Sequence, residues 1–165
     1  GRVRIVKTPT VLEELIDSVL IKFRKRYPGQ AVQVDIPDEF LSVPMDAVLI
    51  EQVIINLLEN AVQHAAGMTE LWLRVFCRDG KAVFEVADNG CGIPRDRLDS
   101  LFDGRMDGAD GHKNMGIGLS VCMSIVQAHG GTMQAENRET GGALFSFTLP
   151  LEEHRDENPR ENSGN

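Results

Sequence analysis

Between residues 45 and 66 runs MDAVLIEQVIINLLENAVQHAA, a segment that leaves little choice of secondary structure. Leu49/Ile50, Val53/Ile54, Leu57/Leu58 and Ala61/Val62 recur at the spacing of a helix buried along one stripe. Pro44 and Asp46 supply its start, with Asp46 as the N-cap. Asn56, Asn60 and His64 follow at steps of four, so they line a single face. Two carboxamides and an imidazole along one stripe suit a metal-phosphate ligand. They equally suit the solvated face of an ordinary amphipathic helix, and the choice depends on two glycine-rich segments further on.

At 165 residues, 42% of them apolar and 25% charged, the chain has the size and composition of one globular domain. Its formal net charge of −8 argues against a nucleic-acid surface, which needs a basic face. No apolar run approaches the roughly 18 residues of a membrane span, and no secretory signal pattern opens the chain. Cys77, Cys91 and Cys122 are scattered without a CxxC pair, which reads as reduced thiols in a cytosolic protein. His64, His112, His129 and His154 lack metal-ligand spacing, so no structural metal is expected.

Residues 1–9 read as an extended lead-in with an abrupt beginning, as of a piece from a longer protein. Thr8 or Thr10 then caps a predicted helix over residues 11–26. Its basic end, residues 22–26, complements the helix dipole or offers a docking patch. Pro28-Gly29 ends this helix, residues 31–36 alternate as a strand, and Pro37-Asp38 turns the chain toward the central helix. A hairpin follows. Leu71, Leu73, Val75 and Cys77 alternate with polar and aromatic neighbours, Asp79-Gly80 makes the turn, and Ala82, Phe84 and Val86 return on one parity. Asp88 continues that buried parity, and a buried carboxylate requires a partner, so Asp88 is a candidate ligand-binding residue.

DNGCGIP, residues 88–94, places Gly90 and Gly92 where the backbone bends and admits close approach, or simply forms a loop. Residues 95–115 form an unusually long polar loop of the kind that serves as a lid. Leu101-Phe102 anchors it, and Gly104, Gly108 and Gly111 leave the rest flexible. MGIGLSVCMSIVQAHGG then opens a helix at Gly116 and Gly118 and closes it at His129-Gly130-Gly131; glycines at a helix N-terminus expose N–H groups to an anion. Neither the P-loop nor the dinucleotide fingerprint is present. Two strands over residues 132–136 and 143–149, joined by NRETGG, complete the domain. A charged, aperiodic tail from residue 152 is expected to be disordered.

Taken in order, NLLENAVQHA resembles the N box, DNGCGIP the G1 box and MGIGLSV the G2 box of the ATP-binding catalytic domain of sensor histidine kinases. That domain belongs to the gyrase/Hsp90/histidine-kinase ATPase superfamily. Leu101-Phe102 resembles the F box, and GGALFSFTLP the closing glycine turn and last strand. The likeness spans residues 10–150, and the wording from IPDEF through NLLENAVQHA is similar to the potassium-responsive kinase subfamily. It implies a two-layer α/β sandwich of the Bergerat type: a mixed, mostly antiparallel sheet backed by three helices, with an ATP lid. Asp88 would accept from the adenine amino group, while Gly90, Gly92 and Ile93 shape the base pocket. Asn60 would ligate Mg²⁺, and Asn56 would support the ion or phosphates, the two forming the catalytic pair. His64 stands where the family often places an aromatic against the purine. Gly116 and Gly118 would give N–H groups to the phosphates, with Leu119 packing beneath.

The chain departs from the family pattern at Gln63, where many relatives carry a lysine or arginine, and at Ala143, where threonine is common. Lys113 or Arg105 is a candidate replacement for that basic residue. Asn56 stands where hydrolytic relatives carry a glutamate, and an amide is no general base. Simple hydrolysis is therefore disfavoured, whereas transfer to a neutral imidazole needs positioning and charge neutralisation. None of the four histidines lies in a dimerisation-helix setting. The resemblance thus implies a cytoplasmic, monomeric catalytic domain of a membrane-anchored bacterial sensor kinase. Its partners would be an upstream phosphoacceptor domain and a response regulator, with no nucleic acid and no direct membrane contact. The competing expectation is a degenerate nucleotide-binding module without transfer activity, which Gln63 favours.

Overall fold

A computed structural model describes residues 3–104 and 118–152. The order is β1 (Thr8–Val11), α1 (Leu12–Arg26), β2 (Gln33–Asp35), β3 (Ser42–Met45), α2 (Ala47–His64), β4 (Leu71–Arg78), β5 (Lys81–Asp88), α3 (Arg95–Leu98), α4 (Leu119–Ala128), β6 (Met133–Asn137) and β7 (Ala143–Pro150). Five strands form one sheet in the order β2-β4-β5-β7-β6, parallel only between β2 and β4. This is the α/β sandwich that the sequence implies, with α1, α2 and α4 packed into a common core with the sheet.

The core follows from strand alternation and helical stripes. Leu71, Leu73 and Val75 on β4, Ala82, Phe84 and Val86 on β5, and Phe145, Phe147 and Leu149 on β7 are all buried, while their sequence neighbours on β4 and β5 are more exposed. Phe84 and Phe147 are direct cross-strand partners with rings stacked at 4.6 Å, a pair worth about 0.5–1 kcal/mol beyond its area. Above them α2 buries Ile50, Val53, Ile54, Leu57 and Leu58, and α1 buries Leu15, Ile16, Val19 and Phe23. Each such side chain contributes about 1.5–3 kcal/mol on leaving water.

Two buried glutamates fix α2 against α1. Glu51 accepts from Ser18 Oγ and pairs with Lys22, and Glu59 accepts from the Tyr27 hydroxyl and lies 3.5 Å from Arg26. The basic end of α1 thus supplies the counter-charges of the helix pair.

The start of the chain differs from expectation. Thr8 and Thr10 do not cap α1. They lie in β1, which pairs antiparallel with β3 in a separate two-stranded ribbon, and Thr10 Oγ1 donates to the Thr8 carbonyl. Val11 is the N-cap residue without a side-chain bond, and the Leu12 N–H is satisfied by the Leu41 carbonyl. At α2 the expectation holds: the Asp46 carboxylate accepts from the Leu49 N–H. Asp79 (φ +53°) and Gly80 (φ +74°) form the expected β4–β5 turn. Of the expected lid, Leu101 is buried and Phe102 half-buried as anchors, and residues 105–117 lie outside the described ones, as does the tail from 153.

Candidate functional site

Helix α2 and the end of β5 bring the expected polar residues together. Asn60 and His64, one turn apart and half-buried, line a narrow cleft of about 30 Å³ with Asp88, Gly92 and Ile93, floored by Ala143 and Phe145. That is the room of about one water molecule. Asn60 makes no side-chain hydrogen bond among the described residues. Asn56, one turn earlier, is not on the cleft. It is buried and donates from Nδ2 to Cys122 Sγ of α4 at 3.4 Å. The polar stripe therefore divides, one carboxamide facing α4 and the other facing the cleft.

Asp88 sits at the last core-side position of β5, opposite Leu71, and is only 4% exposed. One carboxylate oxygen, Oδ1, accepts from the Gly90 N–H at 2.8 Å and from the Ala143 N–H at 3.3 Å. Oδ2 has no donor among the described residues. A buried carboxylate oriented through one oxygen, with the other left over, is built to receive a donor from a ligand.

The loop after Asp88 is pressed against its neighbours. A Cβ on Gly90 would lie 2.8 Å from both the Cβ and the carbonyl oxygen of Ala65, the C-cap of α2. Gly92 adopts φ +80°, a conformation that suits glycine. Three polar side chains that the sequence reading passed over hold this region. Asn89 Oδ1 accepts from the N–H groups of Thr69 and Glu70, and its Nδ2 donates to Thr69 Oγ1. Asn137 Oδ1 accepts from the Ile93 N–H at 2.7 Å while Nδ2 donates to the Ile93 carbonyl at 2.9 Å. Arg138 donates to the Asp88 carbonyl at 2.8 Å and lies over the Trp72 ring, 4.8 Å from its centroid. Their only signal in the sequence was asparagine and arginine in the NRETGG turn and asparagine beside Asp88.

Gly118 is the N-cap of α4, and Leu119 beneath it is buried. Gly116 lies outside the described residues, as do Arg105, His112, Lys113 and His154. Gln63 places Oε1 in a buried position with no hydrogen-bond partner among the described residues. A larger depression of about 1140 Å³, bordered by Lys7, Lys81, His129 and Pro150, contains none of the expected site residues. Volume alone does not nominate a site, whereas convergent polar groups do.

Comparison with known proteins agrees with this geometry. Residues 45–153 match the family described as histidine kinase-, DNA gyrase B-, and HSP90-like ATPase. The chain is 36% identical over 156 residues to the sensor protein KdpD of Clostridium acetobutylicum, and 34% identical over 154 residues to KdpD of Escherichia coli. Those alignments cover 92% and 91% of this chain but only 17% of either relative, so the chain spans about a sixth of their length. Among solved structures, the catalytic domain of histidine kinase ThkA superposes with a TM-score of 0.74 at 28% identity, covering 88% of this chain and 96% of that one. ThkA in complex with the response regulator protein TrrA gives 0.75 at 28% identity, covering 92% of this chain and 44% of that one.

Proposed function

The chain belongs to the histidine kinase-, DNA gyrase B- and HSP90-like ATPase family, and from that premise we propose that it binds ATP with Mg²⁺ for phosphoryl transfer to a histidine of another domain. It is an ATP-binding domain of the sensor-kinase type. The transfer reaction, its acceptor and the remaining partners are our reading. One observation carries it: Asp88 is buried, fixed through Oδ1 by two backbone N–H groups, and keeps Oδ2 for a donor on a cleft shared with Asn60, whose carboxamide bonds to none of the described residues. An exocyclic amino group is such a donor.

In this reading Asp88 selects the base, and Gly90 and Gly92 keep the loop free of side chains at its closest approaches. Asn60 offers an amide oxygen, and Mg²⁺, when bound, neutralises phosphate charge with few protein ligands. Gly118, the N-cap of α4, would present the start of that helix to the phosphates, a role the resemblance also gives to Gly116. Asn56, a carboxamide that donates to Cys122, does not activate water, so the site favours transfer to a nucleophile that is already neutral and basic. That nucleophile is an imidazole on an upstream dimerisation domain, and the phosphoryl group then passes to a response regulator. We place the domain in the cytoplasm as a monomer, part of a membrane-anchored bacterial sensor, touching neither membrane nor nucleic acid. Among the described residues no helix is long and apolar enough to cross a membrane.

One observation favours a second reading, a nucleotide-binding module without transfer. Gln63, whose Oε1 is buried without a hydrogen-bond partner among the described residues, takes the position where many relatives carry a lysine or arginine. Calorimetric titration with a non-hydrolysable ATP analogue, with and without Mg²⁺, tests binding. Addition of a phosphoacceptor helix pair with ATP then tests transfer. Micromolar binding followed by phosphohistidine supports the kinase, and binding without transfer supports the module. No binding up to millimolar analogue rejects both.

A further inference from the structure

We infer that Asn137, the last residue of β6, and Arg138, in the turn that follows it, are positioning residues that set the shape, and hence the base preference, of the loop formed by residues 88–93. The inference rests on the adenine reading of Asp88. Strand β5 ends at Asp88, and beyond it the loop has no ladder of its own. Its internal support is the bond from the Gly90 N–H to Asp88 Oδ1 and a weaker one from the Cys91 thiol to the Gly92 carbonyl. Asn89 is held by Thr69 and Glu70 ahead of β4, while the end residues Asp88 and Ile93 are held from the β6–β7 side.

At the far end, the Asn137 carboxamide pairs with both backbone groups of Ile93, accepting at 2.7 Å and donating at 2.9 Å. A single side chain thereby acts as a neighbouring strand would toward one residue. Ile93 precedes a proline, which already restricts it to extended conformations, and its side chain lines the cleft. Gly92 makes room for this contact, since a Cβ there would stand 2.7 Å from Asn137 Oδ1. At the near end, Arg138 holds the Asp88 carbonyl at 2.8 Å, and the Ala143 N–H holds the carboxylate itself. Stacking on Trp72 limits where the Arg138 guanidinium can go. One turn thus fixes the carboxylate and the apolar wall between which a base would lie.

A loop held from outside by side chains can loosen without unfolding the domain. Loosening spreads the position of Asp88 Oδ2 relative to Ile93, which costs the nucleotide whose recognition needs both. It costs less for a base lacking the donor.

The test uses displacement of the fluorescent nucleotide TNP-ATP by ATP and by ITP, which carries a carbonyl where adenine carries its amino group. The variants are Asn137→Ala and Asn137→Asp; the latter keeps the acceptor for the Ile93 N–H and sets a second oxygen against the Ile93 carbonyl. In both, ATP affinity falls about ten-fold, one hydrogen bond's worth, and the ATP-over-ITP ratio shrinks by about three-fold or more. An unchanged ratio, whatever happens to the melting temperature, overturns the inference. If the Asn137 variants do not fold, Arg138→Met at its half-exposed position gives the same readout. Wild-type protein that binds ATP and ITP equally would instead sink the adenine reading. Wild-type preference for ATP with variants that retain it sinks only the role given to the turn.

Discussion

The ring of His129 accepts a hydrogen bond at Nε2 from the Asp46 N–H, 2.9 Å away and 83 residues earlier, so the end of α4 is tied to the N-cap of α2. The other ring nitrogen, Nδ1, lies 2.8 Å from the Ile125 carbonyl, which fixes the tautomer: Nδ1 carries the proton and Nε2 accepts. Lys7 donates to the His129 carbonyl, adding the lead-in strand to the same junction.

This junction makes stability depend on pH. Burial lowers the His129 pKa from 6.5; the Ile125 carbonyl opposes that, Lys7 adds to it, and Asp46 opposes it. On acidification the unfolded chain takes up a proton near pH 6.5 that the folded chain refuses. Stability is therefore full above that pH and falls as pH drops from it toward the folded-state pKa. Urea unfolding between pH 8 and pH 5 should show this decline, and His129→Gln should flatten it. An equally steep decline in that variant would remove His129 as its source.

Asp88→Asn should separate binding from folding. An asparagine keeps the oxygen that accepts from Gly90 and Ala143 and replaces the unengaged oxygen with an NH₂ donor. Loss of a hydrogen bond to a charged acceptor, about 1.5–3 kcal/mol, corresponds to ATP affinity weakened by about 10- to 100-fold, with the melting temperature little changed. Calorimetric titration decides it, and equal affinity for the variant would falsify the adenine assignment.

Asn60→Ala should remove the magnesium dependence of binding and leave the helix intact, since the side chain is half-buried and makes no hydrogen bond to the described residues. Tightening of ATP by Mg²⁺ should fall from about ten-fold to less than about two-fold. If magnesium still tightens the nucleotide fully, the metal is held elsewhere.

Gly142→Ala tests the packing beneath Asp88. Gly142 has φ +93°, and a Cβ there would overlap the Asp88 carbonyl oxygen and crowd Asn89 Cα, both backbone atoms that cannot swing away. The backbone conformation alone costs a non-glycine residue about 1–3 kcal/mol, and the overlap adds to it. A urea midpoint unchanged from wild type would contradict this geometry.

Features with a local signature were legible in the sequence. The stripe of α2, its Asp46 cap, the Asp79-Gly80 turn and the buried parity of Asp88 each depend on residues within one or two turns of each other. The β1–β3 ribbon was not legible, because Pro9 and Pro44 interrupt both strand patterns. In the fold they are direct partners, and proline lacks the N–H that a hydrogen-bonded pair exchanges. The pairing also spans more than thirty residues, and the Leu41 carbonyl that receives the first N–H of α1 lies 29 residues beyond it, so Thr8 and Thr10 looked like caps. The division of the N-box stripe escaped for a similar reason. Spacing alone puts Asn56 and Asn60 on one face, and only α4, bringing Cys122 alongside, turns the first of them away from the cleft. Asn137 and Arg138 looked like ordinary turn residues because the backbone groups they hold lie 44 and 50 residues earlier.

The stack of Arg138 on Trp72 has an optical consequence. Trp72 is the chain's sole tryptophan, half-buried, its indole N–H bonded to the Gln33 side chain and its face under a cation that also grips the Asp88 carbonyl. The energy of indole emission responds to a charge held over the ring, so a ligand that moves Asp88 and Arg138 together would change the field at the fluorophore. The unlabelled protein is therefore expected to report occupancy of the cleft through its single tryptophan.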